Sequence, residues 1–393
     1  MQRTLLMFSI LAGLAGTALA QTAPPAPAPP VAPTPPVAIV TVVEPTKEPA
    51  KAEADAPKKI AVGSEGWLQP GVLLQGWFLV DRAASTTTAS TFRLRRAEIS
   101  AKGEILPKKI GFKVMFDPAK VREFSNSTIT DSGGDTSTVK QPTTNVSVLQ
   151  DFEISYLSKY ADVSVGQFKI PVSWEGYTSS SKILTPERSI VSSTYGDKRD
   201  LGLKVTKTMK MWSYFVGLYN GAGANNLDGN NQKDVAVRVE AYPVKGLTIA
   251  GVTYNSLFYR EKEGTKDRYE ADLRYEMGSF LFQGEFIRAH DVGAKDVKTN
   301  SQGFYAALAY TLKDPSLHGD LQPVVRVGML DPNVDKDVDP TMAGGSDERW
   351  DYLVGLNYYL KGQEMKFQAS YERQQFDDKV ANNEIILAGQ VWY

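Results

Sequence analysis

The chain ends in Ile385-Ile386-Leu387-Ala388-Gly389-Gln390-Val391-Trp392-Tyr393, and this stretch decides the predicted fold. Counting back from Tyr393, every second residue is apolar or glycine, as expected for a strand with one face in lipid and the other in water. A terminal Trp-Tyr pair suits the membrane interface, where amphipathic rings lie at headgroup level. The stretch therefore predicts the last strand of an all-β, transmembrane antiparallel barrel in a bacterial outer membrane.

The amino terminus predicts export. A basic start precedes an apolar run from Leu5 to Leu14, and Ala18-Leu19-Ala20 forms a small-residue cleavage site, which is typical of a signal peptide over residues 1–20. A short membrane anchor is the alternative, although the run is short for a transmembrane helix. Residues 21–64 predict a Pro/Ala-rich periplasmic arm, and residues 65–393 form the predicted barrel.

Two roles are open for the arm. Its composition cannot bury a core, and its roughly forty residues would reach on the order of 120 Å when fully extended. Contact of residues 21–59 with peptidoglycan is one interpretation, and an inert spacer is the other.

Composition and charge argue against several functional classes. The net charge is −1, whereas nucleic-acid binding normally requires a basic face, so we expect no nucleic-acid partner. The chain has no cysteine, so it uses neither disulfides nor thiol-ligated metals. His290 and His318 lie in predicted connections without an evident Ser nucleophile, so we expect no enzyme activity and no catalytic residue.

We also expect no cofactor and no bound metal. Acidic residues alternate from Asp331 to Asp339 as in a calcium loop, but Lys336 stands where that motif requires Gly and Met342 where it requires Glu. The segment is therefore either a solvated acidic loop, which we favour, or a loose divalent site that bridges lipopolysaccharide.

Sixteen strands are predicted from Trp67 onward, and their connections alternate in length. The predicted tight turns are 106–108, 158–160, 207–209, 243–246, 277–279, 314–320 and 361–363. The predicted long loops are 83–90, 119–146, 171–199, 220–233, 260–266, 289–300, 332–348 and 377–382. Turns at one end and loops at the other are typical of a membrane barrel. A soluble sandwich or solenoid is the competing architecture, but it would not explain this alternation.

Several strands show finer features of such a barrel. Residues 268–277 carry Tyr, Ala, Leu and Met on one face and only charged residues on the other. The segment from Phe92 to Ile105 changes register around Arg95-Arg96, which predicts a β-bulge. Aromatic residues beside the tight turns predict an interfacial girdle, although strands favour aromatics in general. The girdle residues are Tyr156, Tyr160, Trp212, Tyr214, Tyr242, Tyr275, Tyr358, Tyr359, Trp392 and Tyr393.

Five blocks of sequence carry a family resemblance. Phe92-Arg93-Leu94-Arg95-Arg96-Ala97-Glu98 followed by Gly111-Phe112-Lys113-Val114-Met115-Phe116-Asp117 forms one hairpin pattern. Gly166-Gln167-Phe168-Lys169-Ile170-Pro171, Leu184-Thr185-Pro186-Glu187-Arg188-Ser189 and Arg199-Asp200-Leu201-Gly202 form a loop pattern. Together they resemble the second hairpin and third loop of the phosphate-selective porin O and P family. The resemblance implies a 16-stranded general or anion-preferring porin, usually trimeric, with its third loop folded into the lumen.

The loop 171–199 is also the best candidate for a constriction on the residues alone, because it is long and carries apolar residues that a loop in water would not need. The predicted constriction and solute-contact residues are Lys169, Lys182, Arg188, Lys198 and Arg199. Glu187 and Arg188 have an alternative role, in which their ion pairs pin the loop to the wall. Lys182 and Arg199 are predicted to be freer and to contact solutes.

The predicted inner rows carry mixed charge. The basic lumen-facing residues are Arg96, Lys102, Lys113, Lys204, Arg238, Arg274 and Arg326. The opposing acidic residues are Glu98, Glu104, Asp117, Asp151, Glu153, Glu240, Asp272 and Glu285. Rings of Arg and Lys attract anions, whereas mixed charge favours small dipolar solutes. Phosphate, carboxylates, amino acids and no particular solute all fit this pattern.

The sequence thus predicts an outer-membrane porin for passive diffusion of small hydrophilic solutes, with a mild preference for anions such as phosphate. Its expected partners are outer-membrane lipid, lipopolysaccharide, small anionic or polar solutes and further copies of the chain in a homotrimer. The alternative function is structural, with the barrel tethering the outer membrane to the cell wall through the Pro-rich arm.

Overall fold

A computed structural model describes most of the predicted barrel. The described residues are 59–83, 88–122, 124–130, 136–142, 148–258, 262–335, 348–376 and 379–393. The predicted signal peptide, the arm up to residue 58 and residues 336–347 of the acidic loop lie outside this set, and the predictions about them stay predictions. Among the described residues, no helix is long and apolar enough to cross a membrane.

The described part of the chain is built almost entirely from strands. The strands are β1 Ile60–Val62, β2 Gly66–Ala83, β3 Ala89–Leu106, β4 Ile110–Phe116, β5 Phe124–Thr130, β6 Thr136–Pro142, β7 Leu149–Tyr156, β8 Asp162–Lys169, β9 Arg199–Thr208, β10 Trp212–Tyr219, β11 Asp234–Ala241, β12 Leu247–Ser256, β13 Lys266–Met277, β14 Phe280–Val292, β15 Lys298–Tyr310, β16 Leu312–Asp314, β17 Gly319–Asp331, β18 Arg349–Lys361, β19 Met365–Phe376 and β20 Lys379–Trp392. The helices are α1 Trp174–Tyr177 and α2 Ile190–Tyr195, with 3-10 turns at Pro118–Arg122, Ser180–Lys182, Ala294–Asp296 and Pro315–Leu317.

The main sheet closes on itself. β20 pairs antiparallel with β2, and Tyr393 extends this seam through two backbone hydrogen bonds with Val72, each 2.9 Å long. The short β1 and β16 only extend their neighbours, and β5 and β6 form a separate hairpin, so sixteen strands make the wall. The predicted closed barrel of sixteen antiparallel strands is confirmed, with the carboxy-terminal stretch as its last strand.

Side chains alternate between an outer apolar face and an inner face that is mostly polar. In β20, Leu387 and Val391 are about half exposed, whereas Gln390 is 4% exposed. In β13, Tyr269 is 52% exposed, whereas Glu270 lies on the inner row and is buried. A wall with lipid outside and polar groups inside requires this period of two.

The predicted bulge in β3 is confirmed. Gln75 lies opposite Arg96 and Gly76 lies opposite Leu94, so Arg95 is the extra residue. A bulge breaks the alternation locally, and here it directs both arginine side chains to the inner face. Both guanidinium groups contact the carboxylate of Glu187, which lies between β8 and β9.

The predicted alternation of tight turns and long loops holds around most of the barrel, but some predicted long loops are no longer than the tight turns. The connection predicted at 289–300 is only 293–297, and the one predicted at 377–382 is only 377–378. The strands on either side of these loops continue pairing beyond the predicted ends, down to Val292 opposite Lys298 and to Phe376 opposite Lys379.

Three residues of the predicted aromatic girdle were placed wrongly. Tyr242, Tyr359 and Trp392 lie on inner rows, whereas Tyr358 and Tyr393 take the adjacent outer positions. The Tyr359 hydroxyl donates to Gln322, and the Tyr242 hydroxyl donates to Glu240. Their closeness to a turn suggested the girdle. Successive side chains of a strand point to opposite faces, however, so the position of each residue along the strand decides which face its ring occupies.

Candidate functional site

Segment 170–198, which joins β8 to β9, contains α1, the 3-10 turn Ser180–Lys182 and α2. Serine caps each helix: the Ser173 hydroxyl accepts from Gly176 N–H at 2.9 Å, and the Ser189 hydroxyl accepts from Ser192 N–H at 3.3 Å. Such caps satisfy N–H groups that a short helix leaves unpaired. The segment thus has defined local structure although it lies between strands.

Two carboxylates of the wall hold the start of α1. Glu270 of β13 accepts from the backbone N–H groups of Ser173 at 2.6 Å and Trp174 at 3.2 Å. Glu285 of β14 accepts from the Ser173 hydroxyl at 2.6 Å and from Glu175 N–H at 3.4 Å. Carboxylates are good acceptors at this position because the helix start presents free N–H groups and partial positive charge.

A second group of wall side chains binds main-chain carbonyls of the segment. Gln75 donates to the Ser180 carbonyl at 3.3 Å, Gln390 to the Ser181 carbonyl at 3.0 Å, Lys366 to the Ile183 carbonyl at 3.0 Å, and Asn357 and Gln368 to the Leu184 carbonyl at 2.9 and 3.1 Å. These donors come from β2, β18, β19 and β20. These hydrogen bonds hold the segment through its backbone and do not involve its side chains.

Sequence reasoning missed this row of donors. The available signal was a polar residue at an inner position of an otherwise apolar strand, as Gln390 is in the carboxy-terminal stretch. Its significance depends on which backbone it meets, and that partner is more than 200 residues away in sequence.

Glu187 fixes the segment to β3. Its carboxylate contacts Arg95 Nε at 2.7 Å and Arg96 Nη2 at 3.5 Å. Burial alone would raise the pKa of Glu187, but the two arginines outweigh it and lower the pKa to about 2. Arg188 does not reach the wall in this way: its guanidinium contacts Asp197 at 2.9 Å and the Glu175 carbonyl at 3.0 Å, within the segment.

Three of the predicted contact residues converge on Asp197. Lys169 lies at 2.7 Å, Arg188 at 2.9 Å and Arg199 at 3.6 Å from its carboxylate oxygens. Burial would raise the pKa of Asp197, but these cations hold it well below its usual range. The prediction that Arg199 is freer than Glu187 and Arg188 is wrong, because its Nε also contacts Asp151 at 2.7 Å.

The other two predicted contact residues are exposed. The Lys182 ammonium lies 5.7 Å from the centre of the Trp392 ring, and the Lys198 ammonium donates to the Ser193 carbonyl at 3.3 Å. In the described part of the chain, neither has a carboxylate oxygen within 4.0 Å. These two charges are therefore the least compensated of the predicted set.

Most of the predicted lumen-facing bases lie on inner rows with acidic partners. The ion pairs are Lys113–Asp151 at 2.6 Å, Lys204–Glu153 at 2.7 Å, Arg238–Asp272 at 2.8 Å, Arg326–Glu372 at 3.0 Å and Arg96–Glu187 at 3.5 Å. Arg274 lies over the Trp174 ring at 4.9 Å and also pairs with Glu276. Lys102 differs, because it is exposed and has no carboxylate partner among the described residues.

Comparisons with known proteins agree with this architecture. The model of the family described as phosphate-selective porin O and P matches residues 79–262 and 249–390. A search of curated protein sequences finds no match.

Several solved structures share the fold. The chain is similar to Salmonella typhi OmpF in complex with daunomycin (11% identity, 86% of this chain and 100% of that chain covered, TM-score 0.59). It is also similar to the outer-membrane channel DcaP of Acinetobacter baumannii (10% identity, 85% and 99% covered, TM-score 0.58). The anion-selective porin from Comamonas acidovorans gives 8% identity, 84% and 100% coverage and a TM-score of 0.54. Because the family match spans nearly the whole wall of this closed barrel, the chain belongs to the phosphate-selective porin O and P family.

Proposed function

We propose that this protein is an outer-membrane porin through which small hydrophilic solutes diffuse passively, with a mild preference for anions. The observation that carries the proposal is the closed wall of sixteen strands, with apolar outer rows and polar inner rows. A barrel of this strand number is too wide for its own wall side chains to fill, so water occupies the space that segment 170–198 leaves free.

We further propose that segment 170–198 sets the narrowest part of the channel. Support comes from its hydrogen bonds to inner-row side chains of strands as far apart as β2 and β14. Its apolar residues Val172, Leu184 and Val191 belong to the same buried cluster as Tyr305 of β15. A segment held at so many points keeps a constant position, which a constriction requires.

The mild anion preference follows from which charges lack partners. Lys102, Lys182 and Lys198 are exposed cations without a carboxylate partner among the described residues, whereas Asp151 and Glu153 are each paired with cations. Lys120 and Lys266 also lack a carboxylate partner in the same set. The half-buried inner carboxylates Glu98, Glu104 and Glu384, which likewise have no ion pair there, oppose these lysines. Unpaired cations attract anions and repel cations, and a small excess gives a small preference.

Planar-bilayer recording tests both parts of the proposal. Purified, folded protein should conduct, and across a KCl gradient the zero-current potential should have the sign of chloride selectivity. Membranes that stay closed with correctly inserted protein would refute the channel. A cation-selective potential would refute only the anion preference. Replacing chloride by phosphate then tests the solute that the family description suggests, and cross-linking tests the expected trimer.

A further inference from the structure

A cavity of 460 Å³ lies at the end of the barrel that carries the long loops. Besides Arg199, which is already paired with Asp151 and Asp197, four cations from three separate elements line it: Lys120 from the turn Pro118–Arg122, Lys198 from segment 170–198, and Lys266 and Arg268 from β13. This group is distinct from the ion pairs around Asp197 and Glu187 that hold the segment in place.

The charges in the cavity are not balanced. Lys120, Lys198 and Lys266 have no carboxylate oxygen within 4.0 Å in the described ranges. The cavity's two carboxylates are already engaged, Asp197 by its three cations and Asp200 by the backbone N–H groups of Leu201 and Gly221 at 2.7 and 2.6 Å. Like charges that converge without partners repel one another, and a bound anion would relieve that repulsion.

The titration of Lys198 agrees with this imbalance. Although the Lys198 side chain is exposed, the surrounding protein removes part of the water around its ammonium and lowers its pKa. Asp197 acts in the opposite direction, but Lys120, Arg268 and Lys266 add to the lowering. All four cations line the same cavity, so they act on the same small volume.

Part of the remaining lining is apolar. Ile170, Val172, Tyr195 and Tyr254 line it. Both tyrosine hydroxyls are already used, since Tyr195 donates to Ser301 at 2.6 Å and Tyr254 donates to Asp234. The rings therefore present mainly carbon to the cavity. A chloride or phosphate ion gains nothing from such a surface, whereas an organic anion buries its hydrocarbon part there.

We propose that this cavity captures organic carboxylates that carry an apolar body, with the carboxylate at Lys120, Lys198 and Lys266 and the body against the two tyrosine rings. The inference rests on the proposed channel function and names the solute class that the channel collects at its long-loop end. Aromatic monocarboxylates are the simplest members of this class that fit the volume.

Benzoate and acetate test the inference, because they carry the same charge and differ in the apolar body. In bilayers at about 0.1 M KCl, where charges are only partly screened, benzoate should reduce the chloride current at roughly tenfold lower concentration than acetate or inorganic phosphate. Titration calorimetry of the detergent-solubilised protein with benzoate gives a second readout that does not depend on conductance.

The variant Lys266→Gln should weaken benzoate block about three- to tenfold, because one of the three unpaired charges is lost. Lys295→Gln is the matched control, since Lys295 lies in the loop 293–297 and does not line the cavity. Equal block by benzoate and acetate, or equal effects of the two variants, would overturn this inference while the channel still conducts. Failure of the channel itself would show as absent KCl current, before any blocker is added.

Discussion

Reversing the charge at Lys182 should move the channel's selectivity toward cations. Lys182 is exposed and lacks a carboxylate partner among the described residues, so a passing ion meets most of its charge. At about 6 Å in water, the Coulomb energy between the ammonium and a monovalent ion is about 0.7 kcal/mol. Lys182→Glu therefore changes the energy of an anion by about 1.4 kcal/mol and that of a cation by the same amount in the opposite sense.

Salt screening reduces these energy changes. Screening at 0.1 M roughly halves both changes, which leaves a combined difference of about 1.4 kcal/mol and a roughly tenfold fall in the anion-to-cation permeability ratio. The zero-current potential across a KCl gradient measures that ratio, and Lys182→Gln should give about a threefold fall. Lys245→Glu, in the exposed turn between β11 and β12, is the control. An unchanged potential in a folded Lys182→Glu channel, or an equal shift in the control, would refute the reasoning.

Three further predictions concern how segment 170–198 is held. Glu187→Gln removes the charge that both arginines of the bulge contact. It should reduce the free energy that anchors the segment by about 1–3 kcal/mol and increase single-channel current fluctuations at pH 7. A steady, wild-type-like current would contradict this. The pKa of Glu187 is lowered from 4.5 to about 2, so its stabilising contribution is complete above pH 4.5 and is lost as the pH falls through about 2. Current fluctuations of the wild-type channel should therefore rise in that pH window. Those of the Glu187→Gln channel should not. Ser173→Ala removes the cap of α1 and the hydroxyl donor to Glu285. It should lower the stability of α1 by about 1–2 kcal/mol and speed amide hydrogen exchange there. The control Thr178→Ala should leave that exchange unchanged.

The wall could be predicted from the sequence because lipid imposes one rule on every spanning strand. Outer positions must be apolar, so a period of two appears wherever the strand crosses the membrane, as in β13 and β20. Beyond the predicted membrane span both faces of a strand meet water, and the period disappears. The ends of β14 and β15 are of this kind, with Arg288, His290 and Lys298 in the paired region, and there the predicted loop was too long.

The site was less predictable because charge alone does not identify a partner. The sequence indicated which rows carry Arg and Lys, but Arg199 finds Asp151 on β7, 48 residues earlier, and Asp197 beside it in the turn into β9. Whether a cation is free depends on how segment 170–198 packs against the wall. No local pattern reports that packing, so Arg199 and Lys182 looked alike in the sequence although only Lys182 is exposed.

Segment 170–198 is anchored in two ways, through backbone carbonyl groups and through charged side chains. Its position can therefore stay fixed while the charge at some of its residues changes. Between Ser180 and Leu184 the wall binds carbonyl groups, which every residue possesses, so a side chain such as Lys182 can change without loss of an anchor. At Glu187 and Asp197 the anchor is the side chain itself, and replacement there releases buried cations. In the proposed constriction, charge is thus adjustable at Lys182 while the geometry is fixed elsewhere. Selectivity in this barrel should therefore respond to substitutions at the exposed Lys182 without a matching loss of stability.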